Sequence, residues 1–185
     1  YKVNENRFFK DRHYLDKEWN CLRDAKLKII EVGCGVGNTI LPLLEVNPTA
    51  QIWGCDFSEN AISILQTSEG YDKSRCTSFV NDITKDALLE HVEAASMDLC
   101  LMIFVLSAIS PEKMLNSLTN VATIMKKGGK VLFRDYGLYD MAQLKMAEPK
   151  GHKIQDNFYV RKDGTRAYYF SEEVLENLFK DAGFK

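Results

Sequence analysis

The chain has 185 residues, of which 45% are hydrophobic, and this content predicts a single domain with a buried core. Its 24 basic and 26 acidic side chains leave a formal net charge of −2, so overall charge gives no case for a nucleic-acid or membrane surface. No apolar run approaches the roughly 20 residues of a membrane span and no signal-peptide pattern is present, which predicts a protein of the cytoplasm, with the nucleus as a further compartment. The five cysteines have no metal-binding spacing, so we expect buried free thiols and no metal site. Because the chain begins at Tyr1, we expect it to be part of a longer protein.

Residues 1–27 combine aromatic and basic side chains. The aromatic residues, Phe8 and Phe9 among them, predict a segment that packs as a cover over the rest of the chain. The basic residues between them, such as Arg12 and His13, equally suit a nucleic-acid surface, with charge for phosphates and rings for bases. Composition favours the cover and leaves both interpretations open.

The stretch 28–38 predicts a buried strand that runs into a glycine turn and then a helix. The dinucleotide fingerprint G-x-G-x-x-G fits poorly, because its third position falls on Asn38. The spacing is instead E-x-G-x-G-x-G, which is typical of class I methyltransferases that bind S-adenosylmethionine (SAM). The carboxylate of Glu31 suits the ammonium and sulfonium of SAM, whereas a pyrophosphate would be repelled. The alternative is a tight turn without a ligand. The three glycines of the turn are Gly33, Gly35 and Gly37.

Strands and helices then alternate, so we predict an α/β class I methyltransferase fold. It is a Rossmann-like, mostly parallel twisted sheet with helices on both faces, and residues 28–185 form this domain. The predicted strands after the first are 51–55, 76–80, 97–105 and 130–136. The predicted helices are 39–46, one capped by Ser58, one opened by Ser110-Pro111 and stopped by Gly128-Gly129, and one capped by Ser171 and closed by Gly183.

Acidic residues follow two of these strands. Asp56 ends the second strand 19 residues after Gly37, where a carboxylate can accept both ribose hydroxyls of a nucleotide cofactor. After the third strand, Asp82 can accept from an adenine amino group while Ile83 covers the ring. We therefore predict that all three residues contact the cofactor.

Residues 137–170 interrupt the alternation, and 158–170 predict a β-hairpin that turns at Asp163-Gly164. Arg161 and Arg166 flank this turn. An insertion after a strand's carboxyl end lies over the ligand crevice, so the hairpin is either a substrate cover or a mere extension of the sheet edge. A complete class I sheet would continue with an antiparallel hairpin, and because the sequence stops first, we expect one sheet edge to be missing or supplied differently.

The stretch after the fourth strand, 103–108, lacks the Asn/Asp-Pro-Pro-Tyr/Phe clamp used on exocyclic amines of bases. Cys100 lies within the strand and no Pro-Cys pair occurs, which argues against pyrimidine C5 chemistry. What remains is an acceptor with its own lone pair, namely a ring nitrogen, an oxygen or a small amine.

Several motifs together strongly resemble the tRNA 3-methylcytidine methyltransferases, the methyltransferase-like 2/6/8 group and its yeast relatives. The resemblance covers essentially the whole chain and is greatest to the methyltransferase-like 6 branch. Tyr14 departs mildly, since the family often has Trp there. The motifs are Phe8-Phe9-Lys10-Asp11-Arg12-His13, the glycine turn, Cys55-Asp56-Phe57-Ser58, Ile103 to Ala108, Arg134-Asp135-Tyr136-Gly137, Asn157 to Arg161 and Asp163-Gly164-Thr165-Arg166.

The resemblance implies methyl transfer from SAM to N3 of cytidine 32 in the tRNA anticodon loop, with S-adenosylhomocysteine (SAH) as the other product. It further implies serine tRNAs as substrates and seryl-tRNA synthetase as a partner. The alternatives are a SAM-dependent small-molecule O- or N-methyltransferase on the same fold, and a binding module that lost its activity. The family's SAM contacts map onto Tyr1, Gly33, Asp56, Asp82, Ile83 and Ile103.

Cytosine N3 carries a free lone pair, so attack on the methyl group needs no general base, but the product is a cation. We predict that Asp135, with Tyr136 beside it, stabilises this charge; the alternative is a structural aspartate that holds the loop. A flipped base needs an aromatic partner, for which Phe8 and Phe9 are the candidates. The predicted RNA contacts are Arg12, His13, Arg161 and Arg166.

Overall fold

Five parallel strands form the central sheet of the computed structural model, which describes residues 11–141, 143, 153–161 and 164–185. The strand order is β3-β2-β1-β4-β5, with β1 in the centre. Val32 of β1 pairs with Cys55 on one side and with Met102 on the other. The order reverses between β1 and β4, which places the ligand crevice at the carboxyl ends of these strands. The strands are β1 (Lys28–Val32), β2 (Gln51–Asp56), β3 (Cys76–Val80), β4 (Met97–Ile103) and β5 (Met125–Arg134).

Helices cover both faces of this sheet, as predicted. Successive residues of one strand enter different apolar clusters: Ile29 packs with α2 and α3, whereas Ile30 packs with α4. Leu15 and Leu22 of the N-terminal segment are fully buried in the first of these clusters. The helices are α1 (Leu15–Glu18), α2 (Ile40–Val46), α3 (Glu59–Thr67), α4 (Pro111–Ile124) and α5 (Glu172–Asp181). In the described ranges, no helix is long and apolar enough to cross a membrane.

A second, antiparallel sheet contains β6 (Lys153–Gln155), β7 (Phe158–Val160) and β8 (Arg166–Tyr168). β7 and β8 form the predicted hairpin, and Gly164 adopts a φ of +83° in its turn. Asp163 lies outside the described residues. Gly137 bridges to Phe170, and the hairpin packs against Tyr136, so the small sheet lies next to the carboxyl end of β5.

The predicted boundaries of β4, β5 and α4 are wrong. β5 begins at Met125 rather than at 130 and ends at Arg134 rather than at 136, because its pairing with β4 runs from Met97–Met125 to Ile103–Arg134. β4 ends at Ile103 rather than at 105, because Phe104 takes a left-handed φ of +57° and leaves the strand. The Gly128-Gly129 pair does not stop α4. The helix ends at Ile124, and Met125 is already extended because it pairs with Met97, so the glycines lie in an irregular part of β5 where the register shifts.

Candidate functional site

The loop after β1 turns through three glycines with positive φ, namely Gly33 (+68°), Gly35 (+54°) and Gly37 (+92°). At two of them a side chain would also collide with the core. A Cβ on Gly33 would overlap a methyl group of Val105, and a Cβ on Gly37 would overlap a methyl group of Leu65. The loop therefore needs glycine both for its backbone conformation and for its close packing on the stretch after β4 and on α3.

We expect Gly37→Ala to lower the free energy of unfolding by about 3 kcal/mol, from a left-handed alanine and an overpacked contact with Leu65. Urea unfolding of the two proteins measures this difference. Gly70→Ala is the matched control, because Gly70 also has a positive φ (+86°) but nothing lies within 4 Å of its added Cβ. The control should lose only about 1 kcal/mol. Equal losses at the two positions would show that contact with Leu65 adds nothing.

Glu31 lies inside β1, two residues before the first glycine, and its side chain is only 1% exposed. Its Oε1 is 3.5 Å from Nη1 of Arg12, whose side chain is 14% exposed. Its Oε2 accepts no hydrogen bond from any residue that the structure describes. Burial raises the pKa of Glu31 to about 7, although Arg12 and the Thr39 hydroxyl act to lower it. A buried carboxylate with an unsatisfied oxygen is therefore present where the sequence predicts the ammonium of SAM.

Asp56, at the carboxyl end of β2, ties the glycine loop to the neighbouring strand. Its Oδ2 accepts a hydrogen bond from the Gly35 N–H at 2.9 Å, and its Oδ1 accepts one from the Ser58 N–H at 2.9 Å. Burial raises the pKa of Asp56, while these two N–H groups act to lower it. Each carboxylate oxygen keeps a lone pair, so Asp56 can still accept from a sugar hydroxyl.

The other predicted cofactor residues lie at the same edge of the sheet. Asp82 follows β3, and its Oδ1 accepts from the Thr84 hydroxyl at 2.8 Å. Ile83 is buried next to it, and Ile103 is buried at the end of β4. The parallel strands thus bring all the described cofactor residues of the sequence analysis to one crevice, whereas Tyr1 lies outside the described residues.

Asp135 follows β5 and lies across the same edge. Its Oδ2 accepts a hydrogen bond from the Ser107 N–H at 2.9 Å, which fixes the stretch after β4, and its Oδ1 accepts from the Tyr136 N–H at 2.9 Å. Burial raises the pKa of Asp135, and its N–H partners and the charge of Arg161 act to lower it. These contacts are compatible with both interpretations of Asp135. It is either a carboxylate that stabilises charge at the acceptor site or a structural residue that holds the loop.

Phe104 is a candidate site residue that the sequence analysis did not single out. Its φ of +57° is uncommon for a bulky side chain, and its N–H donates to the Arg134 carbonyl at 2.8 Å. The side chain is 38% exposed, and its ring centroid lies 4.9 Å from that of Tyr136. The strained backbone thus leaves an aromatic ring partly exposed and in contact with Tyr136, which follows Asp135. The sequence signals are that Phe104 falls near the end of the apolar run 97–105 and within the family motif Ile103 to Ala108.

The residues predicted to contact RNA fall into separate places. Arg12 lies against Glu31, while His13 is exposed and 3.9 Å from Asp11. Arg161 lies over the Tyr136 ring, with its guanidinium 4.7 Å from the ring centroid. Arg166 donates to the Ser110 hydroxyl at 2.6 Å, so both hairpin arginines are near the carboxyl end of β5. Phe8 and Phe9 lie outside the described residues.

Comparisons with known proteins agree with this arrangement. A family model described as a methyltransferase domain matches residues 5–185. A solved SAM-dependent methyltransferase from Methanosarcina mazei superposes with a TM-score of 0.74 at 18% identity, over 89% of this chain and 82% of that one. The chain is 47% identical to human tRNA N(3)-cytidine methyltransferase METTL6, and 49% identical to tRNA N(3)-methylcytidine methyltransferase trm141 of Schizosaccharomyces pombe. Both alignments cover the whole chain, which spans 66% of the human protein and 76% of the yeast one.

The five-stranded parallel sheet, the glycine loop and the acidic residues at the strand ends define a class I SAM-dependent methyltransferase. Within that class the identity to the human and yeast proteins is decisive, because it extends over the full chain. The chain belongs to the tRNA N3-cytidine methyltransferase family, as the sequence motifs predict.

Proposed function

We propose that the chain transfers a methyl group from SAM to N3 of a cytidine in tRNA and releases SAH. Identity of 47–49% along the whole chain to relatives named for this reaction carries the proposal. Two features of the structure support it. Acidic residues and the glycine loop lie at the carboxyl ends of β1 and β2, and aromatic residues lie after the carboxyl ends of β4 and β5. We further propose cytidine 32 of serine tRNAs as the target and seryl-tRNA synthetase as a partner, as the family resemblance implies.

The cofactor end of the crevice would hold SAM through Glu31, Asp56 and Asp82, with Ile83 and Ile103 as apolar walls. The glycine loop lets the cofactor approach the backbone without meeting a Cβ. Bound SAM supplies an electrophilic methyl group and its own leaving group. The protein therefore has to position the acceptor and to exclude water.

At the other end, Phe104 and Tyr136 offer aromatic surface for a base that has left its stack. N3 of cytosine attacks with its lone pair, and the ring gains a positive charge as the methyl group is transferred. Asp135 lies next to Tyr136, and its half-buried carboxylate would stabilise this cation.

The direct test is nucleoside mass analysis of tRNA incubated with the protein and SAM, with and without seryl-tRNA synthetase. We expect 3-methylcytidine in serine tRNA, and loss of the product when cytidine 32 is replaced. A panel of small amines and alcohols in parallel tests the small-molecule alternative. Binding of SAM without methylation of any tRNA, even with the synthetase present, would contradict the proposed activity and leave a binding module.

We expect the double variant Arg161→Ala, Arg166→Ala to bind tRNA more weakly and with a smaller dependence on salt. Each lost phosphate contact lowers the slope of log affinity against log salt by about 0.7 to 0.9, so the slope should fall by about 1.5. Filter binding at several salt concentrations measures it. The control Lys126→Ala, Lys127→Ala removes the same charge at the opposite end of the sheet, where Lys126 pairs with Asp98. Equal slopes for the two double variants would mean that the hairpin does not contact the RNA backbone.

A further inference from the structure

Tyr139 lies in the turn that follows β5 and, at 81%, is the most exposed large apolar residue that the structure describes. Its φ of +65° is in the left-handed region, which bulky residues rarely adopt. The Asp140 N–H donates to the Gly137 carbonyl at 3.2 Å, so Tyr139 is the third residue of a four-residue turn. A positive φ at that position favours glycine or asparagine. The protein therefore holds an exposed aromatic ring on a strained backbone, and packing of the ring does not offset the strain.

Hydrogen bonds from successive N–H groups hold the backbone of this turn in place. Before the Asp140 bond, the Leu138 N–H donates to the Phe170 carbonyl at 2.8 Å. The Tyr139 N–H donates at 2.6 Å to Oε1 of Gln143, which is buried. The Leu138 side chain packs on the apolar cluster of the second sheet. The turn thus sends Leu138 inwards and presents the Tyr139 ring to solvent from a fixed position.

The turn lies beside the aromatic end of the candidate site. Tyr139 is three residues after Tyr136, whose ring centroid is 4.9 Å from that of Phe104. The guanidinium of Arg161 lies over the Tyr136 ring and brings positive charge, which suits phosphates, to the same place. An RNA strand that carries a cytidine to Asp135 brings the neighbouring nucleotides to this edge of the sheet as well.

We propose that the Tyr139 ring stacks on the base of a nucleotide next to the target cytidine. The proposal rests on the proposed function, which makes tRNA the substrate. When the target base leaves its stack, the neighbouring base loses a stacking partner, and Tyr139 replaces that contact. Bases in single-stranded loops stack on aromatic side chains whatever their sequence. Because the turn is held in place beforehand, little conformational entropy is lost when the base binds.

Tyr139→Gly removes the ring and suits the positive φ, so this variant should unfold at about the same urea concentration as wild type. Its affinity for the tRNA that wild type methylates, measured by filter binding, should fall about tenfold, within the range of one stacked base. Tyr139→Phe keeps the face of the ring and should bind within about twofold of wild type. The slope of log affinity against log salt should stay the same in both variants, because neither removes a charge.

Abasic nucleotides test the contact directly. They replace, one at a time, the nucleotides on the two sides of the target cytidine. At one of the two positions wild type should lose about tenfold in affinity and Tyr139→Gly less than about twofold, because the ring and the base act as a pair. Val46→Ala is the control, since Val46 is an exposed apolar residue at the end of α2. It should lose as much affinity as wild type at each position.

Equal losses for wild type and Tyr139→Gly at both abasic positions would overturn the proposal. An affinity of Tyr139→Gly for intact tRNA equal to that of wild type would overturn it as well. A loss that occurs only when seryl-tRNA synthetase is present would assign Tyr139 to a protein surface instead of a base. Failure of the wild type to bind or methylate any tRNA would contradict the proposed function itself.

Discussion

Replacing Asp135 with asparagine should slow methyl transfer to tRNA about a hundredfold, while the affinity for SAM stays within about twofold of wild type. The substitution keeps an oxygen for the Ser107 or Tyr136 N–H and removes the negative charge beside the aromatic end of the crevice. The developing cation on the cytosine would then lack its counter-charge. Single-turnover rates with saturating SAM and tRNA measure the chemical step, and calorimetry with SAH measures the cofactor site.

Asp98→Asn is the control for this experiment. Asp98 also accepts a backbone N–H, from Lys28 at 2.9 Å, and lies near a cation, Lys126, but it is at the amino end of the sheet. Its replacement should leave the transfer rate unchanged. A rate for Asp135→Asn equal to wild type would assign Asp135 to holding the loop. A parallel loss of transfer rate and of unfolding free energy in this variant alone would point to the same structural role.

The central sheet could be predicted because the local sequence of each strand is enough to identify it. The predicted range 76–80 matches β3, and the strand predicted at the start of the stretch 28–38 is β1, since short apolar runs between turn residues suit buried parallel strands. The end of α4 could not be predicted in the same way. Gly128-Gly129 is a strong local stop signal, but the pairing of Met125 with Met97 is a long-range contact and ends the helix earlier.

The candidate site shows the same division between local and long-range signals. Glu31 and Asp56 could be predicted as site residues because Glu31 lies within a strand pattern and Asp56 ends one, each at a fixed spacing from the glycine turn. Arg12 could not, because it reaches Glu31 across 19 positions from a segment without periodicity. Phe104 could not either, because its exposure depends on a positive φ that no residue type requires. Direct contacts to RNA by the hairpin and His13 stay predictions.

Glu31→Gln should have two opposite effects, a large loss of cofactor affinity and a gain in the stability of the ligand-free protein. The affinity for SAH should fall about fiftyfold, because an amide cannot pair with the ammonium as a carboxylate does. The free energy of unfolding at pH 8 should rise by about 3 kcal/mol. This figure follows from a pKa that burial raises from 4.5 to about 7, at 1.36 kcal/mol per unit.

The sign of the change in unfolding free energy follows from how the ionisation of Glu31 depends on pH in the folded and unfolded states. The folded protein holds the Glu31 proton more tightly than the unfolded chain does, so the carboxylate destabilises the fold only where it is ionised. Below a pH of about 4.5 Glu31 is protonated in both states, and Glu31→Gln should match wild type. The difference should grow between pH 4.5 and 7 and stay constant above that. Urea unfolding between pH 5 and 8 measures this.

Glu45→Gln, at an exposed position of α2, is the control and should change neither affinity nor stability. A stability difference that does not vary with pH would contradict the assignment of a buried, destabilising charge to Glu31. A variant that folds more stably and yet binds SAH weakly would have one physical explanation. The fold tolerates an unfavourable carboxylate at the end of β1, whose burial Arg12 offsets in part and a cationic ligand offsets further.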